Sequence, residues 1–356
     1  MSITFKTATL MEVASQLNRL TPSKLLEITR YWHIEGFDGQ VFFTGYDGSN
    51  WLRYAIEADG EIDVMVKADQ FGKLIEKTTV ENITLTQKDG YLEVKANGTY
   101  KLDIVTGDES YPSFDDRLPD ELDEDSASLL KTSIFYEVFN INESAVSKAN
   151  ADGVYTGYLL DDDVAITSDI IRICLNPIES IGTRLLIPAP LMRLLASLSD
   201  EELYLWTFDD EYLYVATSSV EIYGRLMEGI EDYQDMSIMD EQEFYGEVKL
   251  PTSAIQSILE RLTLFMSPFD KGSIHLDFGP KQLAILTSSG SKELVKYAQV
   301  SQASDFSCIL NSLLLRDILS TISDEHLTLE FGNEIAVKIT SNGVTYYLAT
   351  QEEGEG

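Results

Sequence analysis

Several residue patterns that define common protein classes are missing from this 356-residue sequence. Cys174 and Cys308 are its only cysteines. They are too few for a disulfide framework and lack CxxC spacing, so both are expected to be buried small apolar residues. No run of eighteen apolar residues occurs, and the N-terminal stretch MSITFKTATLMEV lacks the basic start and apolar core of a secretory signal. The chain is therefore expected to be soluble and cytoplasmic.

Motifs of catalysis and metal binding are also missing. The sequence contains no GxGxxG, GxxxxGK[ST] or GxSxG pattern. His33, His275 and His326 have neither HExxH nor paired spacing, and the acidic run at residues 161–163 lacks the ligand spacing and glycine of an EF-hand. The sequence therefore predicts no enzyme, no metal site and no cofactor.

Basic charge is scarce. The 26 Lys and Arg residues are outnumbered by 60 Asp and Glu residues, which gives a formal net charge of −34. A uniformly acidic surface repels phosphate, so a nucleic-acid partner requires an uneven distribution of this charge. One hypothesis is therefore an acidic structural protein, or a DNA-mimic or inhibitor protein, that binds a basic partner.

An internal repeat is present. A block of one hydrophobic helix and two or three alternating strands occurs at residues 64–105, 185–227 and 307–350. A second type of helix precedes each block, starting at Thr7, Thr132 and Pro251, and its apolar residues recur at helical spacing. This pattern predicts an α+β fold of three repeated domains, each with two helices packed on antiparallel sheets. Acidic stretches at residues 115–125 and 228–243 resemble solvated linkers, so the domains are expected at 1–118, 124–238 and 244–352.

The charge is distributed unevenly over this pattern. The predicted helices span residues 7–20, 67–77, 133–150, 188–198, 251–265 and 310–322. They carry eight basic and seven acidic residues, so the negative charge belongs to the strands and loops. A face made of these helices would be neutral to positive. The alternative is that Lys and Arg simply favour helices and solvated faces.

The order and spacing of these elements resemble the bacterial β-type sliding clamp, the three-domain processivity subunit of replicative DNA polymerase, over essentially the whole chain. Residues 168–174, Ser-Asp-Ile-Ile-Arg-Ile-Cys, are similar to the family's Thr-Asp-Gly-His-Arg-Leu-Ala motif. Residues 225–235 resemble its Leu-Val-Asp-Gly-Arg-Phe-Pro-Asp-Tyr-Arg segment, and DESYPSFDD follows the first domain at the equivalent place. A two-domain clamp of the archaeal and eukaryotic type would be one repeat shorter.

The resemblance implies a non-catalytic homodimer. Two subunits would close head to tail into a ring around double-stranded DNA, and the ring would tether the polymerase. Its contact with the DNA backbone would be loose and independent of sequence. The residues expected to face the DNA are Arg19, Lys24, Lys73, Lys77, Lys148, Arg193, Arg261 and Arg316.

The resemblance also implies a pocket for short peptides of the polymerase and the clamp loader. The expected lining residues are Tyr155, Ser168, Asp169, Ile170, Ile171, Arg172, Ile173, Phe269, Asn311, Leu314, Ala336 and Leu348. Among these, Tyr155, Ile170, Ile171 and Phe269 would supply the apolar groove, and Arg172 and Asn311 would be the polar partners. The alternative is that these are ordinary core and strand residues, especially Leu348 and Ala336.

Two further expectations follow from the resemblance. The ring interface would join Leu74, Tyr100 and Leu102 of one subunit to Phe265 and Met266 of the other, although a run such as LTLFMS is also typical of a core. The peptide preference should differ from the family's. The sequence has Ile170 and Ile171 where the family has Gly and His, Glu231 and Asp235 where it has Pro and Arg, and residues 349–352, Ala-Thr-Gln-Glu, where it has Met-Pro-Met-Arg. This divergence favours a bacteriophage or plasmid clamp that serves its own polymerase.

Overall fold

The structure is a computed structural model that describes residues 2–105, 111–119, 122–123, 126–239, 241–266, 272–302 and 305–352. These ranges contain six α-helices. They are Thr7–Leu17 (α1), Ala68–Glu76 (α2), Ser133–Asn142 (α3), Ala189–Leu195 (α4), Thr252–Thr263 (α5) and Ser312–Thr321 (α6). None of the helices in the described ranges is long and apolar enough to cross a membrane.

The helices form where the sequence places apolar residues at a spacing of three and four. In α1, Leu10, Val13, Ala14 and Leu17 are all buried, as are Ile255, Ile258, Leu259 and Leu262 in α5. Helix α1 packs against α2, and α5 packs against α6. The amphipathic helices predicted from the sequence are therefore confirmed at these positions.

The same ranges contain twenty-five strands in four sheets, which are built mainly from antiparallel pairs. In chain order they are Ser2–Lys6 (β1), Tyr31–Phe37 (β2), Gln40–Tyr46 (β3), Asn50–Glu57 (β4), Ile62–Lys67 (β5), Asn82–Lys88 (β6), Tyr91–Lys95 (β7), Thr99–Asp103 (β8), Ser128–Lys131 (β9), Gly157–Asp161 (β10), Val164–Ser168 (β11), Arg172–Pro177 (β12), Arg184–Pro188 (β13), Glu202–Phe208 (β14), Tyr212–Ala216 (β15), Val220–Arg225 (β16), Gly246–Pro251 (β17), Ser273–Phe278 (β18), Gln282–Thr287 (β19), Lys292–Lys296 (β20), Gln299–Gln302 (β21), Phe306–Asn311 (β22), His326–Phe331 (β23), Ala336–Ser341 (β24) and Val344–Ala349 (β25).

The strand order repeats three times. A first quartet of strands occurs as β5-β2-β3-β4, β13-β10-β11-β12 and β22-β18-β19-β20. A second quartet occurs as β1-β6-β7-β8, β9-β14-β15-β16 and β17-β23-β24-β25, with β21 added beside β17 in the last copy. The α+β fold class with a threefold repeat, predicted from the sequence, is confirmed.

The last strand of one quartet pairs with the last strand of another quartet in two places. Strand β4 pairs with β16, which builds an eight-stranded sheet, and β12 pairs with β25, which builds a nine-stranded sheet. Both joints link a first quartet to the second quartet of the next repeat. The remaining last strands, β20 and β8, lie at the ends of their four-stranded sheets within the described residues. The chain thus makes two of the three joints that its repeat defines.

Residue contacts divide the chain into two compact units. One comprises Met1–Tyr136 and Pro188–Leu226, and the other comprises Glu137–Ile187 and Met227–Gly356. Each unit holds one four-stranded sheet and one of the two longer sheets. The boundaries of the three sequence repeats, 1–118, 124–238 and 244–352, stay a prediction.

The joint between β4 and β16 in the first unit carries an aromatic cluster and a charged network. Trp51, Phe114, Trp206, Tyr214 and Tyr223 form the buried part of the cluster. The guanidinium of Arg53 lies in this joint and donates to Glu221 (2.7 and 3.1 Å) and Asp115 (2.6 Å). Large aromatic surfaces and a nearly buried ion pair therefore hold the two quartets together.

The predicted helix at residues 133–150 is too long, because α3 ends at Asn142. The side chain of Asn142 is fully buried, and its amide donates to the backbone carbonyl oxygen of Ala165 (3.2 Å). The backbone carbonyl oxygen of Asn142 accepts from the Thr167 hydroxyl (3.0 Å). These tertiary bonds replace the continuing helical ones. Lys148 therefore lies in an extended segment after a short 3-10 turn at Glu143–Ala145, and not on a helix.

Candidate functional sites

The loop between β11 and β12 is built by the side chains of Ser168 and Asp169. Asp169 Oδ1 accepts from the backbone N–H groups of Ile171 (3.2 Å) and Arg172 (2.6 Å), and Ser168 Oγ accepts from the N–H of Ile170 (3.1 Å). Short polar side chains that bond to the backbone a few residues ahead are typical of tight turns. This turn leaves Ile170 and Ile171 exposed to solvent, by 66% and 50% respectively.

Ile170 adopts a positive φ of 74°. A β-branched residue is strained in this left-handed region by roughly 1–2 kcal/mol, whereas glycine enters it freely. The glycine of the family motif that this loop resembles would fit this backbone conformation without strain. Ile170 thus keeps an exposed apolar side chain at a cost in stability, and such a cost points to a use of that side chain.

The exchange Ile170→Gly should raise the free energy of unfolding by about 0.5–1 kcal/mol, because relief of strain exceeds the added entropy of the unfolded chain. Urea denaturation of both proteins measures this difference. Ile171→Gly is the matched control, since Ile171 does not have a positive φ, and it should destabilise. Equal losses in both variants would contradict the strain at Ile170.

The side chain of Arg172 is only 9% exposed and is bound within the protein. Its Nε and Nη2 atoms donate to Asp169 Oδ2 (2.9 and 2.7 Å), and its Nη1 atom is 3.4 Å from Asp317 Oδ2 on α6. Arg172 therefore fixes the loop and ties it to α6. The structure gives it a positioning role, and its direct contact with a bound peptide stays a prediction.

An apolar cluster lies beside this loop, and we call it the Tyr155 cluster. Its buried members are Leu159, Leu186, Tyr233 and Met236, and its half-buried members are Val154, Tyr155, Ile166, Ile173, Leu175, Met227 and Ile230. The Tyr155 ring packs edge-on against Tyr233, with centroids 5.1 Å apart. Burial, with a smaller contribution from Tyr155, raises the pKa of Tyr233. Because seven members keep some exposure, the cluster offers apolar surface to a partner.

Further apolar side chains are exposed at the end of β25, and we call them the apolar rim. The N–H of Ala349 donates to the carbonyl oxygen of Ile171 (2.9 Å), and the N–H of Thr350 donates to that of Ile335 (2.9 Å). Ile171 and Ile335 thus flank β25 on opposite sides. The rim consists of Ile170, Ile171, Ile335 and Leu313, whose exposed fractions are 66%, 50%, 61% and 45%. Leu313 lies near the end of β25 because of contacts made by Gln351. The backbone of Gln351 bridges to Ile309 in β22, and its side-chain oxygen accepts from the hydroxyl of Ser273. Ser273 is the register partner of Asn311, which is two residues before Leu313.

Other residues expected in the pocket have structural roles. Leu348 is fully buried in the core of the second unit, and Ala336 is 3% exposed. Asn311 is the N-cap of α6, where its Oδ1 atom accepts from the N–H groups of Leu313 (2.9 Å) and Leu314 (3.2 Å). Leu314 is half-buried against the same core. Phe269 lies outside the described residues.

Sequence reasoning missed part of this surface. Tyr233, Met236, Leu175, Leu313 and Ile335 were not among the expected pocket residues, although they belong to the Tyr155 cluster or the apolar rim. A usable signal was the alternation of Ile173 and Leu175 along β12, because residues two apart face the same side of a strand. The second signal was the pair Tyr233 and Met236 within an otherwise acidic segment.

The eight residues expected to face DNA are all exposed. They are Arg19, Lys24, Lys73, Lys77 and Arg193 in the first unit, and Lys148, Arg261 and Arg316 in the second.

Two of these residues lie beside carboxylates. The Lys73 ammonium is 3.9 Å from Asp69. Arg261 on α5 is bound by both carboxylate oxygens of Glu293 on β20 (2.8 and 2.6 Å). The Glu293 hydrogen bond raises the pKa of Arg261, and the Arg261 hydrogen bond lowers the pKa of Glu293. The charge of Arg261 is thus largely compensated within the protein.

The expected interface residues lie at sheet ends and helix ends. Tyr100, 39% exposed, and the half-buried Leu102 belong to β8, the strand at the end of its sheet. Leu74 is half-buried on α2. The LTLFMS run is divided: Leu262 is buried in the core and Met266 packs partly on it, whereas Phe265 is 62% exposed. Leu294 on β20, 52% exposed, was missed.

Both cysteines are buried, as predicted from the sequence. Burial raises the pKa of the Cys174 thiol well above its usual range and that of Cys308 to about 12. Both thiols are therefore protonated at neutral pH, and a protonated thiol is a poor nucleophile.

The antiparallel quartets and their helices define a clamp-type fold. The structure superimposes on the DNA polymerase III beta subunits of Borrelia burgdorferi (TM-score 0.86, 16% identity) and Streptococcus pneumoniae (TM-score 0.87, 15% identity). The match covers 99% of this chain with 100% and 99% of those chains. The beta clamp of Helicobacter pylori, solved with a bound DNA ligase peptide, is similar over 99% of this chain and 100% of its own (TM-score 0.83, 16% identity). No protein-family model and no curated protein matches the sequence. The chain therefore has the fold of a bacterial DNA polymerase III beta subunit.

Proposed function

We propose that this protein is a DNA sliding clamp. Two copies close head to tail into a ring around duplex DNA, and the ring tethers a replicative polymerase in the cytoplasm without catalysing a reaction. The observation that carries this proposal is the pair of strands β8 and β20 at the ends of their sheets. In the repeat, β8 corresponds to β16 and β25, and β20 corresponds to β4 and β12, which pair with each other inside the chain. A second copy would supply the partner strand for both β8 and β20.

This closure is heterologous, because β8 of one copy meets β20 of the other, and two such contacts complete the ring. Antiparallel pairing of the two strands extends each four-stranded sheet to eight strands, the length that the joint between β4 and β16 already has. Tyr100, Leu102 and Leu294 bring apolar surface to this contact. Pairing also removes two exposed strand edges, which are otherwise prone to non-specific association.

The charge distribution supports encirclement without tight binding. The basic residues on and beside the helices are exposed, while strands and loops carry the excess of 60 acidic over 26 basic residues. Such a protein repels DNA from most of its surface and tolerates it along a helical lining. A DNA-mimic protein would share the acidity, but the acidity alone does not account for two matched strand ends.

DNA retention should therefore depend on topology. After loading, the protein should stay on a closed circular plasmid through gel filtration at moderate salt and should leave when the plasmid is cut once. Its binding to short linear duplexes should be weak and lost as salt rises, because few phosphates are contacted. Tight saturable binding to short linear fragments, or release that does not depend on cutting, would refute the clamp proposal.

The Tyr155 cluster and the apolar rim form the proposed docking surface for polymerase and loader peptides. Together they offer apolar side chains beside an exposed loop, which suits a short peptide with hydrophobic anchors. Two isoleucines replace the smaller glycine and the polar histidine of the family motif. The surface should therefore exclude peptides fitted to a roomier and more polar pocket.

The exchange Ile171→Asp should weaken binding of the polymerase's C-terminal peptide at least tenfold, because a charge then replaces half-exposed apolar surface that the peptide covers. Fluorescence anisotropy with the labelled peptide measures this loss. Leu129→Asp is the matched control, since Leu129 is a similarly exposed apolar residue (53%) that belongs to the first unit and to neither the Tyr155 cluster nor the apolar rim. Equal affinities of Ile171→Asp and the wild type would place the docking surface elsewhere.

A further inference from the structure

Three side chains with metal-binding atoms meet on one face of the eight-stranded sheet. His33 and Glu35 lie two residues apart on β2, and Asp63 on β5 is the register partner of Glu35. Residues two apart on a strand share a face, so all three point to the same side. His33 Nε2 is 2.8 Å from Asp63 Oδ1, and His33 Nδ1 is 3.2 Å from Glu35 Oε2. One ligand atom of each residue lies within 4.8 Å of the other two.

The charges at this position do not balance. A neutral imidazole has one N–H and can donate to only one of the two carboxylates, and even an imidazolium leaves one negative charge over. A divalent cation would neutralise both carboxylates and take the imidazole lone pair.

We propose that His33, Glu35 and Asp63 form a binding site for one Zn²⁺ ion. A tetrahedral Zn²⁺ with bonds of about 2.0–2.2 Å holds its ligand atoms roughly 3.3 Å apart. Only one imidazole nitrogen binds the ion, and the set of one atom from each residue lies within 4.8 Å. The Glu35 and Asp63 side chains are 42% and 80% exposed, so they are free to rotate towards that nitrogen. The imidazole nitrogen favours Zn²⁺ over Ca²⁺ and Mg²⁺, which prefer oxygen ligands throughout. Water occupies the fourth position. The spacing 33, 35, 63 matches no sequence motif, so the site exists only in the folded sheet.

The ion would also steady the chain around Tyr111. The ring of Tyr111 packs on His33, with centroids 5.3 Å apart, and its hydroxyl donates to the carbonyl oxygen of Tyr31 (3.3 Å). Tyr111 is buried there, with only 8% of its surface exposed. An imidazole held by a metal ion keeps one orientation, and this fixes the surface on which Tyr111 rests.

Calorimetric titration of the metal-free full chain with ZnCl₂ tests the proposal. Binding should saturate at one ion per chain and raise the Tm, and CaCl₂ in excess should not displace the ion. Asp63→Ala and His33→Ala should each weaken binding at least ~10–100-fold, the loss typical of removing even an outer-sphere partner. The Asp63 side chain is 80% exposed, so this variant should fold normally, as circular dichroism would verify.

His326→Ala is the matched control. His326 is also beside a carboxylate, with Nδ1 3.9 Å from Glu325, and its loss should leave the affinity for Zn²⁺ unchanged. The proposal is overturned if Asp63→Ala binds Zn²⁺ as the wild type does, or if the wild type shows only unsaturable binding spread over its acidic surface. Both outcomes are independent of ring formation and DNA retention.

Discussion

Lys101→Pro should convert the dimer into monomers and abolish retention on circular DNA. Lys101 lies in the middle of β8. The N–H of Ile104 donates to the carbonyl oxygen of Gly90, and the N–H of Ala96 donates to that of Gly98. The hydrogen bonds between β7 and β8 therefore fall on even-numbered residues. The N–H of Lys101 therefore points away from β7, towards the partner strand. Proline removes this donor and crowds the edge, while the bonds inside the sheet remain.

Leu294→Pro on β20 should have the same effect from the other side of the contact. The N–H of Thr287 donates to the carbonyl oxygen of Ser291 (2.9 Å), so the hydrogen bonds between β19 and β20 fall on odd-numbered residues. The N–H of Leu294 therefore points away from β19, towards the partner strand. Analytical ultracentrifugation at micromolar concentration measures the loss of the dimer, and plasmid gel filtration measures the loss of retention. Loss of the dimer in both Lys101→Pro and Leu294→Pro would identify β8 and β20 as the two strands of the contact between copies.

Thr4→Pro provides the matched control for Lys101→Pro. Thr4 lies on β1, at the opposite end of the same four-stranded sheet. The N–H of Thr7 donates to Glu81 (2.8 Å), so the bonds between β1 and β6 fall on odd-numbered residues and the N–H of Thr4 also points outward. This variant should remain dimeric. A dimeric Lys101→Pro protein, or a wild type that is monomeric at all concentrations, would contradict closure through β8 and β20.

Arg53→Ala should lower the free energy of unfolding of the first unit by about 3 kcal/mol. Arg53 is 12% exposed and Glu221 is 21% exposed, and the two are paired by charge-assisted bonds. The guanidinium also lies over the Phe114 ring, 4.2 Å from its centroid. Without the guanidinium, the Glu221 carboxylate loses its positively charged partner. It keeps the hydrogen bond from the neutral Tyr214 hydroxyl (2.6 Å). A nearly buried charge that has lost its partner is strongly destabilising.

Urea denaturation followed by tryptophan fluorescence measures this effect, because Trp51 and Trp206 belong to the same cluster. Lys73→Ala is the matched control in the same unit. Lys73 and Asp69 (3.9 Å) are both 69% exposed, so the loss of this pair should cost only about 0–1 kcal/mol. Similar small losses in both variants would show that the joint between β4 and β16 depends on its aromatic packing and not on Arg53.

Much of the fold could be predicted because it rests on local periodicity. Apolar residues spaced as in Leu10, Val13 and Leu17 indicate a helix wherever it packs, and alternation as in β23 indicates a half-buried strand. The helix at residues 133–150 was predicted too long for a tertiary reason. Asn142 ends it through bonds to β11, and no local pattern records such partners.

The docking surface was predicted only in outline. The loop at Ser168 to Arg172 was found through its resemblance to a known motif, and the structure places two isoleucines there in the open. The burial of Leu348 and the contact of Arg172 with Asp317 could not be read from the sequence. Both depend on partners far away in the chain. The neighbour of β12, β25, is more than 160 residues away, and Asp317 is 145 residues from Arg172.

The sequence by itself determined the elements, the threefold repeat and the uneven distribution of charge. These follow from short-range spacing and from composition. Only the tertiary structure decided which strands join, and therefore that β8 and β20 lie at the ends of their sheets. It also decided that His33, Glu35 and Asp63 meet, and that Ile170 takes a left-handed conformation. Strand register and long-range pairing set these features, because a hydrogen-bonded ladder brings together residues that no local pattern connects.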